Sequence, residues 1–261
     1  MVYGGTGVSR HQDEIELNLK HWERKPVLRR VYRDFHEAIA TCVSRDIKGH
    51  LVEIGSGIGS IREVLPGCVR TDLFPNPWID RVENAYALSF EDETVSHLIL
   101  FDVFHHLKYP GTALHEFRRV LVKNGRLIIL DPYIGLLGLL VWGLAHPEPV
   151  SLLRPIEWLA PEGWVRDAGE YYAAQGNATR LFGRSKYAAW LRDWEVIERR
   201  RMAALSYVAS GGYSGPQLYP DKWLPWMKRL DRVLDDCPLL FGTRLLVVMR
   251  KEEAERSPQR P

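Results

Sequence analysis

The chain has 261 residues, of which 46% are hydrophobic and 26% are charged, and its formal net charge at pH 7 is +2. This length and composition allow one sizeable hydrophobic core, so they exclude a disordered chain and favour a single domain with insertions. A net charge this small argues against nucleic acid as the main partner. The segment from Lys20 to Arg33 is locally basic, which is typical of a solvated helix face and, as the alternative, of a patch for an anionic partner.

The cysteines and the start of the chain bear on its compartment. Cys42, Cys68 and Cys237 have the spacing of neither a metal site nor a disulfide framework, which favours a reducing environment. Residues 1–10 are glycine-rich and lack the apolar core of a signal peptide, so we expect a flexible start and a cytoplasmic protein. No grouping of Asp and His has metal-ligand spacing, and the sequence therefore predicts no required metal. The sequence does not indicate an oligomeric state.

The first predicted elements are a helix, a strand and a glycine turn. Apolar residues recur at helical spacing and predict an amphipathic helix before the first strand: Leu28, Val31, Tyr32, Phe35, Ile39 and Cys42. The run 51–54 then has the pattern of a buried strand. Gly55, Gly57 and Gly59 follow it and let the backbone turn tightly beside a ligand, where any Cβ would collide. The third glycine stands one position too early for the dinucleotide fingerprint, so the turn predicts a nucleotide-like ligand of another kind.

Acidic residues stand at the ends of the predicted strands. Asp72 ends a second strand, Asp102 follows a fourth strand over 95–101, and Asp131 follows a fifth. Alternating strands and helices predict a parallel sheet with helices on both faces, in which a ligand lies beyond the carboxyl ends of the strands. The glycine turn and these acids would share that edge. Glu53, two residues before the first glycine, suits a ligand that carries positive charge there.

The fifth strand is expected directly after a helix. Leu114, Phe117 and Leu121 repeat at helical spacing. Asn124-Gly125 supplies residues that adopt the left-handed conformation, so it is expected to stop this helix and start the strand over 126–130.

The last quarter of the chain returns to regular structure. The run 194–208 is predicted as a strand region, and 227–234 as an amphipathic helix with Pro225 in its first turn. The run 243–249 is predicted as a final strand, followed by a polar, frayed tail.

Residues 48–132 resemble the class I S-adenosylmethionine-dependent methyltransferases, most closely the small-molecule branch typified by the quinone-biosynthesis enzymes (methyltransferase type 11). Four blocks carry the resemblance in order: the glycine turn, the strand that ends at Asp72, the segment 84–90, and the strand–helix–strand region 95–129. The resemblance implies an α/β fold: a Rossmann-like, mostly parallel seven-stranded sheet with helices on both faces and a cap insertion after the fifth strand. It divides the chain into an N-terminal extension (1–26), a cofactor-binding half (27–132), an acceptor-binding cap (133–190), C-terminal elements that complete the sheet (191–250) and a flexible tail (251–261).

The resemblance also implies S-adenosylmethionine as the cofactor. Its expected contacts are Glu53, Gly55, Ser56, Gly57, Gly59, Asp72, Leu73, Asn84, Ala85, Leu100, Phe101 and Asp102. In this assignment the glycine turn passes the amino-acid and ribose portions, and Asp72 accepts hydrogen bonds from the ribose hydroxyls. Asn84 and Ala85 border adenine, and the end of the fourth strand lies near the methionine portion.

Three histidines are candidates for removing a proton from the acceptor, because imidazole titrates near neutral pH. His105 and His106 follow the fourth strand, and His105 is preferred. A role in packing and in hydrogen bonding at the strand end is the alternative for this pair. His146 is a further candidate.

The segment 132–145 contains no charged residue. As a helix it would be about 21 Å long. A membrane span needs ~20 apolar residues, so this segment is too short to cross a membrane. Three interpretations remain open: a buried core helix, the wall or lid of an apolar acceptor pocket, and a peripheral membrane contact through 133–145.

The sequence therefore predicts an enzyme that transfers a methyl group to a small-molecule or lipid- or glycan-linked acceptor. This acceptor has an apolar portion, and its reacting atom is expected to be a hydroxyl oxygen. The alternatives are N- or C-methylation of a secondary metabolite, a nicotinamide-dependent oxidoreductase, and a non-catalytic scaffold that keeps the fold.

Overall fold

A computed structural model describes residues 7–144, 148–165 and 171–252. In this part of the chain the strands form one seven-stranded sheet in the order β3-β2-β1-β4-β5-β7-β6. Their bounds are β1 His50–Ile54, β2 Val69–Asp72, β3 Arg81–Val82, β4 Val95–Phe101, β5 Leu121–Pro132, β6 Trp194–Met202 and β7 Arg244–Lys251. Neighbours among β1 to β5 pair in parallel, whereas β7 is antiparallel to both β5 and β6. The mostly parallel sheet predicted from the sequence is confirmed.

The helices of the described residues precede, connect and follow the strands. They are α1 Gly7–Arg24, α2 Pro26–Ala40, α3 Pro110–Val120, α4 Leu136–Leu144, α5 Asn177–Gly183, α6 Leu205–Ala209, α7 Leu224–Leu234 and α8 Pro238–Phe241. Short 3₁₀ turns occupy Ser60–Glu63, Phe104–His106, Ser185–Leu191 and Asp221–Trp223. Between β5 and β6 the chain forms α4, α5 and an irregular segment, where the cap was expected. Pro225 lies in the first turn of α7, as predicted.

Two apolar cores lie on opposite faces of the sheet. Successive residues of β4 alternate between them, so that Leu98 and Leu100 join α3 and α5 in one core, while Ile99 and Phe101 join α2 in the other. Every residue of β4 is buried, as expected for a parallel strand covered by helices on both faces. The loop that follows β4 at the carboxyl edge therefore extends from a strand that is packed on both faces.

Two predicted boundaries are wrong for local reasons. The helix α3 ends at Val120, and Leu121 already pairs with Val95. The β4–β5 register then shifts between Val95 and His97, so Asn124, with φ of 60°, lies in an irregular part of β5 and does not cap the helix. The predicted strand 194–208 stops at Met202, because Ala204 adopts φ of 48° and α6 begins after it.

The two ends of the chain are more regular than expected. The predicted flexible start is wrong for residues 7–10, since α1 begins at Gly7. At the other end Lys251 still belongs to β7. Residues 1–6 and 253–261 lie outside the described residues.

The helix α4 does not fit the interpretation as a buried core helix. Within it only Gly138 and Trp142 are buried, and Leu144 is 82% exposed. None of the helices in the described ranges is long and apolar enough to cross a membrane. The other two interpretations of this segment, a pocket wall and a membrane contact, remain open on the structure.

Candidate active site

The glycine turn after β1 has a backbone that other residues would strain. Gly55, Gly57 and Gly59 all have left-handed φ angles, of 73°, 52° and 67°. A Cβ on Gly55 would lie 2.4 Å from Cγ2 of Val103, and one on Gly59 would lie 2.6 Å from the Trp78 carbonyl oxygen. At Gly57 the nearest atom is 3.8 Å away, so only its φ requires glycine. The turn therefore lies against the loop that follows β4.

Asp72 connects this turn to the end of β2. Its carboxylate accepts a hydrogen bond from the backbone N–H of Gly57 at 2.9 Å and another from that of Leu73 at 2.7 Å. The Nε2 atom of His11, on α1, lies 3.5 Å from the same carboxylate. Ser56 also joins the two strands, because its N–H donates to the Thr71 carbonyl at 2.8 Å. The turn, Asp72 and α1 thus surround one region of the edge.

Glu53 is a buried carboxyl group beneath the turn. Its residue is only 3% exposed, and among the described residues its Oε2 has no hydrogen-bond partner. Burial raises the pKa of Glu53 to about 7. An orphaned acceptor of this kind suits a ligand that donates hydrogen bonds or carries positive charge.

The other predicted cofactor contacts lie in two short segments. Asn84 is half-buried, its Oδ1 accepts a hydrogen bond from the Tyr86 N–H at 3.0 Å, and Ala85 is buried. At the end of β4 the side chains of Leu100 and Phe101 are buried in the two opposite cores. Their contact with a ligand at the edge would therefore be through the backbone.

Asp102 forms an ion pair with a buried arginine that sequence reasoning missed. Asp102 adopts φ of 56°, which is unusual for a residue other than glycine, and its carboxylate accepts a hydrogen bond from Nη1 of Arg244 on β7. Arg244 is fully buried among aromatic rings, with its guanidinium carbon 4.4 Å from the centroid of Tyr207 and 5.5 Å from that of Trp142. Its Nε and Nη2 atoms have no hydrogen-bond partner in the described part of the chain.

The histidine pair after β4 forms a polar cluster with two carboxylates. Nδ1 of His105 is 2.9 Å from Asp131, and its Nε2 is 3.4 Å from Oε2 of Glu148. Nε2 of His106 is 3.7 Å from Oε1 of the same glutamate, and its Nδ1 is 3.0 Å from the Tyr172 carbonyl oxygen. The cluster joins β4, β5 and the cap.

The charges in this cluster shift one another's pKa values. Burial alone would lower the pKa of His105, but the carboxylates of Asp131 and Glu148 outweigh it and raise the pKa to about 10. Burial and the neighbouring His105 lower the pKa of His106 to about 4. Burial opposes ionisation of Glu148, yet the two histidines hold its pKa well below the usual range. His146, the third histidine predicted from the sequence, lies outside the described residues.

Comparison with known proteins indicates which class of enzyme has a glycine turn and acidic residues at this sheet edge. Residues 52–129 match the family model described as a methyltransferase domain, and this segment contains the glycine turn, Asp72 and β4. The chain is therefore an S-adenosylmethionine-dependent methyltransferase. Its cofactor is S-adenosylmethionine. No curated protein matches the chain.

Two solved structures are similar to this chain. It is similar to geranyl diphosphate C-methyltransferase from Streptomyces coelicolor A3(2), at 11% identity and a TM-score of 0.51, over 85% of this chain and 80% of that one. It is also similar to the YcgJ protein from Bacillus subtilis, at 16% identity and a TM-score of 0.47, over 85% of this chain and 100% of that one. At these identities the likeness concerns the fold alone.

The residues of the methyltransferase edge fit the cofactor. The turn offers a close backbone approach, Asp72 offers carboxylate acceptors, and Glu53 keeps an unpartnered oxygen. The individual contacts of these groups with the cofactor stay predictions.

Sequence reasoning missed three side chains that the fold brings to this edge. His11 comes from α1, Arg244 from the start of β7, and Glu148 from the cap. A sequence signal exists for Arg244, because it directly precedes the apolar run 245–249. No local pattern marks His11 or Glu148 as partners of Asp72 or His105.

Proposed function

We propose that this methyltransferase methylates a hydroxyl oxygen of an acceptor with a long apolar portion, and that it takes this acceptor from an anionic lipid surface. The observation that carries the proposal is a set of exposed apolar side chains on α4, on and just before α7, and on α8, which we call the apolar ridge. Its exposed side chains are Leu136, Leu139, Leu140, Leu144, Trp223, Trp226, Leu230, Val233, Leu239 and Leu240.

The ridge on α7 has the pattern of an interfacial helix. Trp223, Trp226, Leu230 and Val233 recur at intervals of three and four residues, so they share one face of the helix, and all are exposed. A soluble helix normally turns such a stripe towards the core. Trp226 is 67% exposed, and the guanidinium of Arg229 lies 4.9 Å from its ring centroid. Trp beside basic residues is typical of a helix at a membrane surface.

The helices α8 and α4 extend this surface towards the active-site edge. Their contact is close, because a Cβ on Gly135, just before α4, would lie 3.0 Å from the Leu239 carbonyl oxygen of α8. The helix α4 in turn follows β5, which carries Asp131 of the polar cluster. An acceptor whose apolar portion stays in the lipid could therefore present its head group at the carboxyl edge of the sheet.

Three exposed basic residues near the ridge suit an anionic lipid surface and outnumber the exposed Asp236. Lys222, Arg229 and Arg232 are exposed on and beside α7. By contrast, Asp231 bonds the Ser206 hydroxyl and Asp235 accepts from the Ala203 N–H at 2.7 Å, so these two acids point into the fold. Each basic residue near an anionic membrane contributes about 1 kcal/mol of attraction.

The chemistry required of the protein is mainly alignment. S-adenosylmethionine supplies the methyl group, which it carries on a positively charged sulfur. The glycine turn, Asp72 and Glu53 would hold the cofactor, and the loop 102–106 would border the acceptor. A hydroxyl acceptor must also lose its proton, and the cluster of His105, His106 and Glu148 provides polar groups at that edge. The general base among them stays a prediction.

Vesicle binding tests the lipid surface. Sedimentation with vesicles of phosphatidylcholine mixed with phosphatidylglycerol should recover the protein, and pure phosphatidylcholine should recover less. Leu140→Asp should weaken binding by at least about tenfold, since burial of one leucine contributes about 1.5–3 kcal/mol. Leu159→Asp is the matched control, because Leu159 is exposed but lies beside α3, where the next residue bonds Thr112. If both variants bound the anionic vesicles equally well, the ridge would not be the lipid-binding surface and this part of the proposal would be wrong.

A paired-acceptor assay tests the hydroxyl and the apolar portion. Methyl transfer from labelled cofactor should be detectable on a long-chain alcohol and should disappear when its hydroxyl is converted to an ether. Shortening the alkyl chain should lower kcat/KM for the wild type. Transfer to an amine of the same chain length, with none to the alcohol, would contradict the oxygen assignment and support N-methylation.

A further inference from the structure

The polar cluster at the carboxyl edge has the donor set of a metal centre. His105, His106 and Glu148 each offer one ligand atom, and these atoms all lie within 4.8 Å of one another. The two histidines come from the 3₁₀ turn after β4, whereas Glu148 comes from the cap 42 positions later along the chain. Only the tertiary structure brings this set together.

Hydrogen bonds determine which nitrogen of each histidine is available. Nδ1 of His106 contacts the Tyr172 carbonyl oxygen, which only accepts, so this nitrogen carries the hydrogen. Nδ1 of His105 contacts the Asp131 carboxylate in the same way. When each ring is neutral, as in a metal-bound imidazole, Nε2 is therefore the nitrogen that carries the lone pair. Each Nε2 is the atom that faces Glu148.

These outer hydrogen bonds are the ones that accompany metal-bound histidines. A ligating imidazole usually donates its other N–H to a carboxylate or a backbone carbonyl, which fixes its tautomer and orientation. His105 donates in this way to the Asp131 carboxylate, and His106 donates to the Tyr172 backbone carbonyl. Each Nε2 also faces the Glu148 carboxylate, so a cation between them would lie beside a negative charge.

The spacing of the donor atoms fits a zinc-type ion. Two ligands bound tetrahedrally at about 2.0–2.1 Å are about 3.3–3.4 Å apart. Oε2 of Glu148 is 3.4 Å from Nε2 of His105, and its other oxygen, Oε1, is 3.7 Å from Nε2 of His106, so both contacts are close to this separation. One ligand atom from each of the three residues lies within 4.8 Å of the other two. The carboxylate also accepts hydrogen bonds from Gln175, at 2.5 Å, and from the Tyr171 hydroxyl.

We propose that His105, His106 and Glu148 bind one divalent transition-metal ion of the zinc type. Two histidines and one carboxylate are a donor set that such ions favour, and three protein ligands leave a position open for water or an acceptor oxygen. The cap is held in place for this role, since the Ala174 N–H donates to the His105 carbonyl at 2.9 Å and Gln175 pairs with the chain beside Glu148. A bound metal ion would thus link the cap, through Glu148, to the two histidines at the sheet edge. This proposal does not depend on the identity of the acceptor.

Metal titration of the full chain tests the site directly. After treatment with a chelator, the protein is titrated with ZnCl₂ by calorimetry and with CoCl₂ by visible absorption, without cofactor or acceptor. We expect one equivalent to bind, a Co²⁺ spectrum of low coordination number, and a higher Tm with metal. His106→Ala should weaken binding by more than about 100-fold, and Asp131→Asn by about 10–100-fold through loss of the outer hydrogen bond.

His115→Ala is the matched control, because His115 is exposed on α3 and belongs to no such group among the described residues. It should bind Zn²⁺ as the wild type does. His106 is itself about 30% exposed, so its replacement should leave the fold intact, as circular dichroism can verify. Absence of the Co²⁺ spectrum in the wild type, or equal affinities of His106→Ala and His115→Ala, would overturn the proposal. Since methyl transfer is not measured, failure here leaves the assignment as a methyltransferase unaffected.

Discussion

The glycine turn and the histidine–glutamate cluster lie at the same edge of the sheet but are built in different ways. The turn comes from one continuous segment, and its main partner, Asp72, stands at the end of the adjacent strand. The cluster combines groups from β4, β5 and the cap. A site made of neighbouring residues leaves a pattern in the sequence, whereas a site assembled across the fold leaves none. The cofactor could therefore be predicted, and a metal site could not.

The largest expected effect is a loss of folding stability when a core residue of the cofactor-binding half is truncated. Phe117 is fully buried on α3, and Phe117→Ala should lower the free energy of unfolding by about 3–5 kcal/mol. Urea denaturation followed by circular dichroism measures this change. Leu159→Ala, at an exposed site, is the control. A loss below about 1 kcal/mol would mean that α3 packs more loosely than the structure indicates.

The next prediction concerns the buried carboxyl group beneath the turn. Its pKa rises from 4.5 in the unfolded chain to about 7 in the folded one, so the folded state holds the proton more tightly. The corresponding stability is present below pH 4.5 and is lost as the pH rises through about 7. Relative to Glu53→Gln, the wild type without cofactor should lose on the order of 3 kcal/mol across this window. Parallel pH profiles of the two proteins in urea denaturation would contradict the burial of this charge.

A smaller effect is expected at the cofactor itself. Asp72→Ala removes a carboxylate that would accept hydrogen bonds from the ribose, and it should weaken S-adenosylmethionine binding by about 10–100-fold. Calorimetric titration gives the dissociation constant. Asp92→Ala removes an exposed acid that pairs with Arg119 and should leave it unchanged. Equal affinities of the two variants would exclude Asp72 from the cofactor site.

The smallest expected effect is at Leu140 on the exposed side of α4, and a substitution on the buried side of the same helix provides the contrast. Leu140 is exposed, so Leu140→Ala should change the free energy of unfolding by no more than about 0.5 kcal/mol. Trp142 is buried on the same helix, and Trp142→Ala should cost about 3–5 kcal/mol. If both variants unfold at the same urea concentration as the wild type, α4 does not pack on the fold as described.

Prediction from the sequence succeeded where the hydrophobic pattern was unambiguous. The strand 95–101 is found at its predicted bounds, and the helix that includes Leu28 and Ile39 is α2. Prediction failed at the end of α3, where Asn124-Gly125 resembles a helix stop but lies in an irregular part of β5. The Asn-Gly dipeptide is compatible with a helix end and with an irregular strand. Only pairing with β4 decides between these two structures.

The sequence by itself determined the α/β architecture, the glycine turn and the acid that ends the second strand, because these depend on spacing within a short segment. Only the tertiary structure decided that many apolar residues of α4 and α7 are exposed, since an amphipathic pattern does not say which face of a helix meets the core. It also decided the partners of the polar groups at the edge. Arg244 and Asp102 are 142 positions apart, and contacts at such separations follow from the way the strands are ordered in the sheet.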